Sequence, residues 1–268
     1  SLLNHNLSTA ATVRLRTGRA VFDVDWTSYI AEDRATFSGG AGGTVVTSAG
    51  ALAAATTPRI TYTPGTLAAL GLLTEEQRTN SIRNNTMVGA VAGTPGTLPT
   101  NWGTTGNGGL SREVVGTGVE NGIDYIDIRL FGTVASVVAP EHTFTFDSAV
   151  TQAAAVGQVW TSSIYAKLVA GSLTGVAQGE TFLICLNAAL SLSEASSSMF
   201  TYGTAALISS RQTYTRTLST GTTAYIQNRI DVNLVAGAAV DVTIRIGLPQ
   251  LELGAFASSV IRTSGAQV

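Results

Sequence analysis

The sequence predicts an all-β protein: a jelly-roll β-sandwich over residues 80–263, preceded by an irregular β-containing region, 1–79, and followed by a tail, 264–268. Three observations predict it. Beyond residue 110 the chain falls into short runs rich in β-branched and aromatic residues, with turn residues between most of them. No amphipathic helical period separates these runs, which argues against an α/β arrangement and for a sandwich. Several runs alternate strictly between apolar and polar residues, as strands with one buried face do.

The N-terminal region reads unevenly. Residues 13–16 alternate apolar and basic, and 20–24 form a second short run. Gly39 to Gly43 is nearly all glycine, and 49–55 is Ala-rich enough for a turn of helix. Residues 59–62 read as a short strand ended by Pro64-Gly65. Thr74-Glu75-Glu76-Gln77 has the form of a helix start, with Thr74 as cap and Gln77 in the capping-box position. The clear strands are 112–115, 123–131, 143–146, 159–169, 181–186, 212–218, 224–234 and 240–248. The Ser-rich stretch 188–206 lacks a period and reads as a long loop or an irregular edge.

Alternation assigns faces. Ile126, Ile128 and Leu130 oppose Tyr125, Asp127, Arg129 and Phe131. Trp160, Ile164 and Leu168 oppose Ser163, Tyr165 and Lys167. Ile226, Ile230, Val232 and Leu234 oppose Tyr225, Gln227, Arg229, Asp231 and Asn233. Val242, Ile244 and Ile246 oppose Asp241, Thr243 and Arg245. The dry faces are the expected core. Trp160 is expected in it, Trp102 is expected to plug a sandwich end, and Trp26 to pack at a domain or subunit contact.

Composition narrows the function. Fifteen basic against seventeen acidic residues give a net charge of −2, which speaks against a basic nucleic-acid binder. No run is apolar enough to cross a bilayer as a helix, so membrane insertion is not expected. Ser1-Leu2-Leu3-Asn4-His5 lacks the charged start of a signal peptide, and a first residue other than Met suggests processing from a longer product. The single Cys185 sits in an apolar run and reads as a small buried thiol, with no disulfide or Cys-rich zinc site.

Gly71-Leu72-Leu73-Thr74-Glu75-Glu76-Gln77-Arg78-Thr79-Asn80 resembles a segment common in tailed-phage virion proteins and prophage fibre-like proteins. Arg34 to Ser38 and Thr57 to Tyr62 match the lead-in those proteins show. Pro249-Gln250-Leu251-Glu252-Leu253-Gly254-Ala255-Phe256-Ala257-Ser258-Ser259 resembles their closing segment, although Val260-Ile261-Arg262-Thr263 lacks its usual Tyr and Pro. Gly157 to Lys167 is similar to a strand of jelly-roll carbohydrate-binding modules of families 4 and 9. The resemblance, to tailed-phage and gene-transfer-agent fibre or spike proteins, implies a virion component with an N-terminal attachment region and a sugar-binding-like sandwich. Its implied partners are a bacterial surface or capsular polysaccharide and other virion proteins. It also implies a homo-oligomer, a trimer or a fivefold ring, in a particle assembled in the bacterial cytoplasm. Such modules often carry a structural calcium ion, but no Asp-rich loop locates one here.

Catalytic chemistry is sparse. The sequence has no nucleophile elbow, phosphate-binding loop or zinc-protease pattern. His142 lacks a sequence-evident partner to orient it as a base. Glu75 and Glu76 are adjacent, so on a helix they would not face each other. Asp124, Asp127, Asp231 and Asp241 would have to converge across a sheet to form a hydrolytic pair. The expectation is a binding protein and not an enzyme.

Sugars stack their C–H faces on aromatic rings and hydrogen-bond through their hydroxyls to planar polar groups. The polar strand faces offer that combination in Tyr125, Arg129, Tyr165, Lys167, Tyr225, Gln227 and Arg229. If their strands share one sheet, they form one continuous strip. The alternatives are that the tyrosines merely cover the sheet, or that the face docks another subunit and binds no glycan itself.

Overall fold

A computed structural model describes residues 43–55, 59–149 and 152–268. The expectations for 13–16, 20–24, 34–38, Trp26 and Thr57-Pro58 lie outside the described residues. The chain divides into two compact units, Ser1–Glu76 and Gln77–Val268.

In the first unit, β1 (Thr44–Val46) pairs with β2 (Leu52–Ala54), and β3 (Ile60–Tyr62) with β4 (Ala69–Leu72), both antiparallel. The Ala-rich stretch expected as a helical turn therefore contains a strand. It lacks the polar face an isolated helix turn would need, and its backbone groups pair with β1. Thr74 to Gln77 is not helical either. Glu75 turns back to Arg59 at 2.8 Å, and no apolar periodic run follows to support a helix.

The second unit is the sandwich. One sheet has the order β11-β10-β13-β8-β5, the other β12-β9-β14-β7-β6, and every pairing is antiparallel. The strands are β5 (Gly103–Gly106), β6 (Ser111–Glu120), β7 (Ile123–Thr133), β8 (Glu141–Thr145), β9 (Val159–Gly171), β10 (Val176–Leu186), β11 (Leu192–Phe200), β12 (Arg211–Thr217), β13 (Tyr225–Leu234) and β14 (Ala239–Leu253). The sheets are named below by their middle strands, β13 and β14. Each strand expected beyond residue 110 is present. β5 is an addition, and the 188–206 stretch contains the edge strand β11. Its serines fit there because a strand paired on one side needs little apolar surface. The β6–β7 hairpin turns at Asn121-Gly122, both with positive φ (49° and 75°), the left-handed pair that matches strand twist.

The dry faces meet as expected. Ile126, Ile128 and Leu130 pack with Trp160, Ile164, Ile226, Ile230, Val232, Val242, Ile244 and Ile246, all buried. Cys185 is buried among them, and burial pushes its thiol up to about 11. Trp102 is also in the core, edge-on to Phe146 at 4.7 Å, with its indole N–H donated to the Asn84 carbonyl at 2.8 Å. One polar thread crosses the interior. Asn228 donates to Ser162 Oγ at 2.6 Å, and Ser162 meets Thr181 Oγ1 at 3.1 Å. It joins the two sheets with a hydrogen bond where the alternation predicts only apolar contact.

Within this unit, Arg78 and Asn80 at the end of the first phage-like segment meet the second and close the sandwich. Asn80, fully buried, accepts from the backbone N–H of Ile82 and of Leu251 and donates to the carbonyl of Ile261, each at 3.1 Å. Gln250 donates to Glu252 at 2.8 Å and accepts from the Ile261 N–H at 2.8 Å. Glu252 accepts from the Ser258 N–H and hydroxyl at 2.9 and 2.7 Å. Arg78 donates to the Leu253 carbonyl and lies over the Phe256 ring at 4.9 Å. Gly254 has φ 147° and lies directly against the Arg78 guanidinium, so a side chain there would displace it. This clasp explains the chemistry of the two segments: buried amides and carboxylates satisfy backbone groups where the chain enters and leaves the sandwich. Residues 264–268, read as a tail, are tied to the same end. The Val268 carbonyl accepts from Asn80 N–H, and Gln267 donates to Ser81 O.

Candidate functional site

The seven residues expected to form one strip lie on two sheets. Tyr125 and Arg129 are on β7, and Tyr165 and Lys167 on β9, all in the β14 sheet. Tyr225, Gln227 and Arg229 are on β13, in the opposite sheet. Consecutive strands of a jelly roll cross between sheets, so equal alternation phase does not place residues on one surface. The continuous strip does not form.

The four on the β14 sheet are committed to internal partners. Arg245 forks onto Asp127 at 2.8 and 2.7 Å and reaches Glu120 at 2.5 Å. Its guanidinium lies 3.4 Å from the centre of the Tyr125 ring. Lys167 joins Glu120 at 3.3 Å, and Glu120 also accepts the Leu207 N–H at 2.7 Å. These partners hold the Glu120 carboxyl below its usual range against the opposing, and largest, effect of burial. The Leu207–Ser209 turn that supplies this N–H is itself buried at Leu207 and Ile208. Tyr165 is only 4% exposed, lies 5.7 Å from the Arg211 guanidinium, and burial raises its phenol pKa. Arg129 forks onto Asp241 at 2.7 and 2.8 Å and crosses the Phe131 ring at 4.6 Å. This half is an ion-pair network closed largely on itself.

The β13 half is different. β13 is the middle strand of its sheet, and Tyr225, Gln227, Arg229, Asp231 and Asn233 share its outer face. All but Asp231 are partly exposed. Register places Ile184, Phe182 and Glu180 of β10 opposite Gln227, Arg229 and Asp231. Thr145, Thr143 and Glu141 of β8 flank Arg229, Asp231 and Asn233 from the other side. Gln227 donates to the Asp147 carbonyl at 2.7 Å, which fixes its amide plane. Asn233 donates to Glu180 at 2.6 Å, and Ser197 donates to the other Glu180 oxygen.

Phe182 and Glu180 were missed because the 181–186 run reads as uniformly apolar. The signal was present one residue earlier: Glu180, Phe182 and Ile184 alternate against Thr181, Leu183 and Cys185. Asp124, Asp127 and Asp241 each engage an arginine of the β14 sheet or the C-terminal segment, and Asp231 lies on the other sheet, so the four do not converge. His142 Nε2 is 3.1 Å from Thr104 Oγ1, and burial with the Arg112 charge pushes its pKa down to about 4. Among the described residues, no group of three or more His, Cys, Asp or Glu side chains could hold a metal ion, and no helix is long and apolar enough to cross a membrane.

A concavity of about 440 Å³ opens at the clasp end and includes Arg78, Gln158, Trp160 and Gln267 in its wall. Gln158 accepts the Trp160 indole N–H at 3.1 Å and the Ala155 N–H at 2.9 Å, so its carbonyl is already used.

No known family model matches the chain, and no curated protein matches it in sequence. Among solved structures it is similar to the enzymatically active domain of tailspike protein 4 from bacteriophage CBA120, with 14% identity and a TM-score of 0.35. That match covers 58% of this chain and 20% of the other, so the chain spans about a fifth of the tailspike domain. It is similar to the xylan-binding CBM22-1 domain from Paenibacillus barcinonensis, with 13% identity, a TM-score of 0.36, and coverage of 69% and 99%. It is also similar to a family 4 carbohydrate-binding module, with 18% identity, a TM-score of 0.36, and coverage of 65% and 100%. None of these is close enough to carry a function to this chain.

Proposed function

We propose that this protein is a virion structural component, a fibre or head-spike subunit, that binds a bacterial surface or capsular polysaccharide on the outer face of the β13 sheet. One observation carries the binding reading. Tyr225, Gln227, Arg229 and Asn233 line up along the middle strand as partly exposed planar polar groups, beside the Phe182 ring. That combination suits the hydroxyls and C–H faces of a sugar chain, and the spacing of alternate residues, about 7 Å, suits an extended ligand. The likeness of 71–80 and 249–259 to phage proteins supports the virion reading. The proposal includes a homo-oligomer, a trimer or fivefold ring, with other virion proteins as neighbours. It includes binding without catalysis.

The test replaces Tyr225 and Gln227 together with Ala and measures adsorption of particles carrying the variant to capsulated cells. Intact assembly with adsorption reduced at least tenfold supports the reading. Unchanged adsorption by a folded, assembled variant refutes it and favours docking of this face against another subunit. A monomeric mass for the full chain at micromolar concentration removes the oligomer.

A further inference from the structure

Resting on the glycan reading of the β13 face, we propose that Arg229 makes this face selective for anionic glycans, and that Asp231 beneath it masks or releases the arginine charge. The Arg229 guanidinium lies over the Phe182 ring, 4.6 Å from its centre, with its side chain 25% exposed. Among the described residues its ion pair is to Asp231, with Nη2 2.9 Å from Oδ2. The pair is poorly made. Neither Asp231 oxygen has an aligned hydrogen bond, and Arg229 Nε has no partner. An arginine held only to anchor the strand would fork onto its carboxylate, as Arg245 does onto Asp127 and Arg83 onto Asp147. Arg229 is instead held by stacking; its unpaired Nε is buried, and what the face offers a ligand is the exposed quarter of the side chain.

Asp231 is completely buried on a face whose other β13 residues reach solvent. A buried carboxylate so poorly hydrogen-bonded is costly in its charged form. Its surroundings add to that cost: Glu180 on β10 and Glu141 on β8 are like charges, while Arg229 and the Thr143 hydroxyl on β8 oppose them. Tyr202, fully buried beyond β11, is close enough for the Asp231 charge to raise its pKa further. Glu180 is occupied by Ser197 and Asn233 and gives Asp231 no relief. Burial, the largest effect, lifts Asp231 to about 6. Above that pH the Arg229 charge is compensated from beneath. Below it the guanidinium loses this direct partner, with Glu180 and Glu141 still on the neighbouring strands, and a uronate carboxylate or a sulfate can take the place of Asp231.

The consequence is a pH-dependent affinity for anionic glycans. Half-protonation near pH 6 leaves about 3% of molecules with a neutral Asp231 at pH 7.5 and about 90% at pH 5.0, which sets an upper bound of roughly 30-fold on the gain. The experiment is an array of uronate-containing, sulfated and neutral glycans, probed with the full chain at both pH values. The expected result is stronger anionic signals at pH 5.0, by about tenfold, with neutral signals unchanged. Asp231→Asn should bind the anionic probes equally well at both pH values. Arg229→Gln should lose them and keep the neutral ones. Thermal melts establish that each variant is folded, and Arg229→Gln alone decides the matter if Asp231→Asn does not fold. Binding confined to neutral glycans, or anionic binding indifferent to Arg229→Gln, overturns this inference and leaves the glycan reading standing. No binding to any probe by folded protein removes both.

Discussion

Replacing Asn80 with Ala tests whether the clasp holds the sandwich shut. The side chain is fully buried and serves four backbone groups: the N–H of Ile82, the N–H of Leu251, the carbonyl of Ile261 and, at 3.4 Å, the carbonyl of Pro249. Alanine removes all four bonds and brings no replacement. A buried donor or acceptor left unsatisfied costs about 1–3 kcal/mol, and some relaxation is expected, so the total should be about 3–5 kcal/mol. At about 2–4 °C per kcal/mol for a chain of this size, the melting temperature should fall by roughly 10 °C. Urea denaturation followed by tryptophan fluorescence reads the sandwich directly, because Trp102 and Trp160 are both core residues. Asn107→Ala is the control. Asn107 also bonds two backbone groups, the Glu141 N–H and the Ala139 carbonyl, but in solvent, where water replaces them. It should cost about 0.5 kcal/mol or less. A loss below about 1 kcal/mol for Asn80→Ala, or one no larger than the control's, would refute the clasp as a source of stability.

Ile128, Ile164, Ile230 and Ile244 are each within 1% of complete burial, so truncation to Ala should cost about 2–5 kcal/mol in chemical denaturation, whereas Arg129→Ala on the outer surface should change stability far less. Arg245→Ala leaves Asp127 and Glu120 without their main cationic partner; allowing for partial solvent access, a loss of about 2–3 kcal/mol is expected in the same assay. Asp231 predicts a pH signature. Its folded pKa of about 6 lies above its ordinary 3.8, so the folded state holds a proton that the unfolded state releases between those values. Its contribution is therefore fully present below pH 4 and is lost as pH rises through 6, by up to about 3 kcal/mol. Melting curves of Asp231→Asn against the parent should show a gain at pH 7.5 that disappears at pH 4; a pH-independent difference would contradict the assignment.

Alternation along the chain was enough to settle the class of fold and the filling of its core. Side chains on a strand alternate with a period of two, so Ile126, Ile128 and Leu130, or Val242, Ile244 and Ile246, declare a buried face without any knowledge of neighbours. The same rule located Trp160 in the core and set Tyr225, Gln227 and Arg229 on one side of β13. Short segments were less legible. The strand around Leu52 and the non-helical Thr74 to Gln77 depend on pairing partners that lie elsewhere in the chain. Which polar faces belong together depended on the pairing of distant strands. Alternation fixes a residue's side within its own strand, but sheet membership is set by long-range pairing, which placed Tyr125 and Tyr165 on one sheet and Tyr225 on the other. It also decided that the end of the first phage-like segment and the second form one clasp, since Asn80 and Leu251 are 171 residues apart in sequence and bonded in space. The burial of Asp231 follows from the same source. A carboxylate on the polar side of a strand is read as solvated, and it takes Glu180, Thr143 and Arg229, brought in from two neighbouring strands and its own, to enclose it.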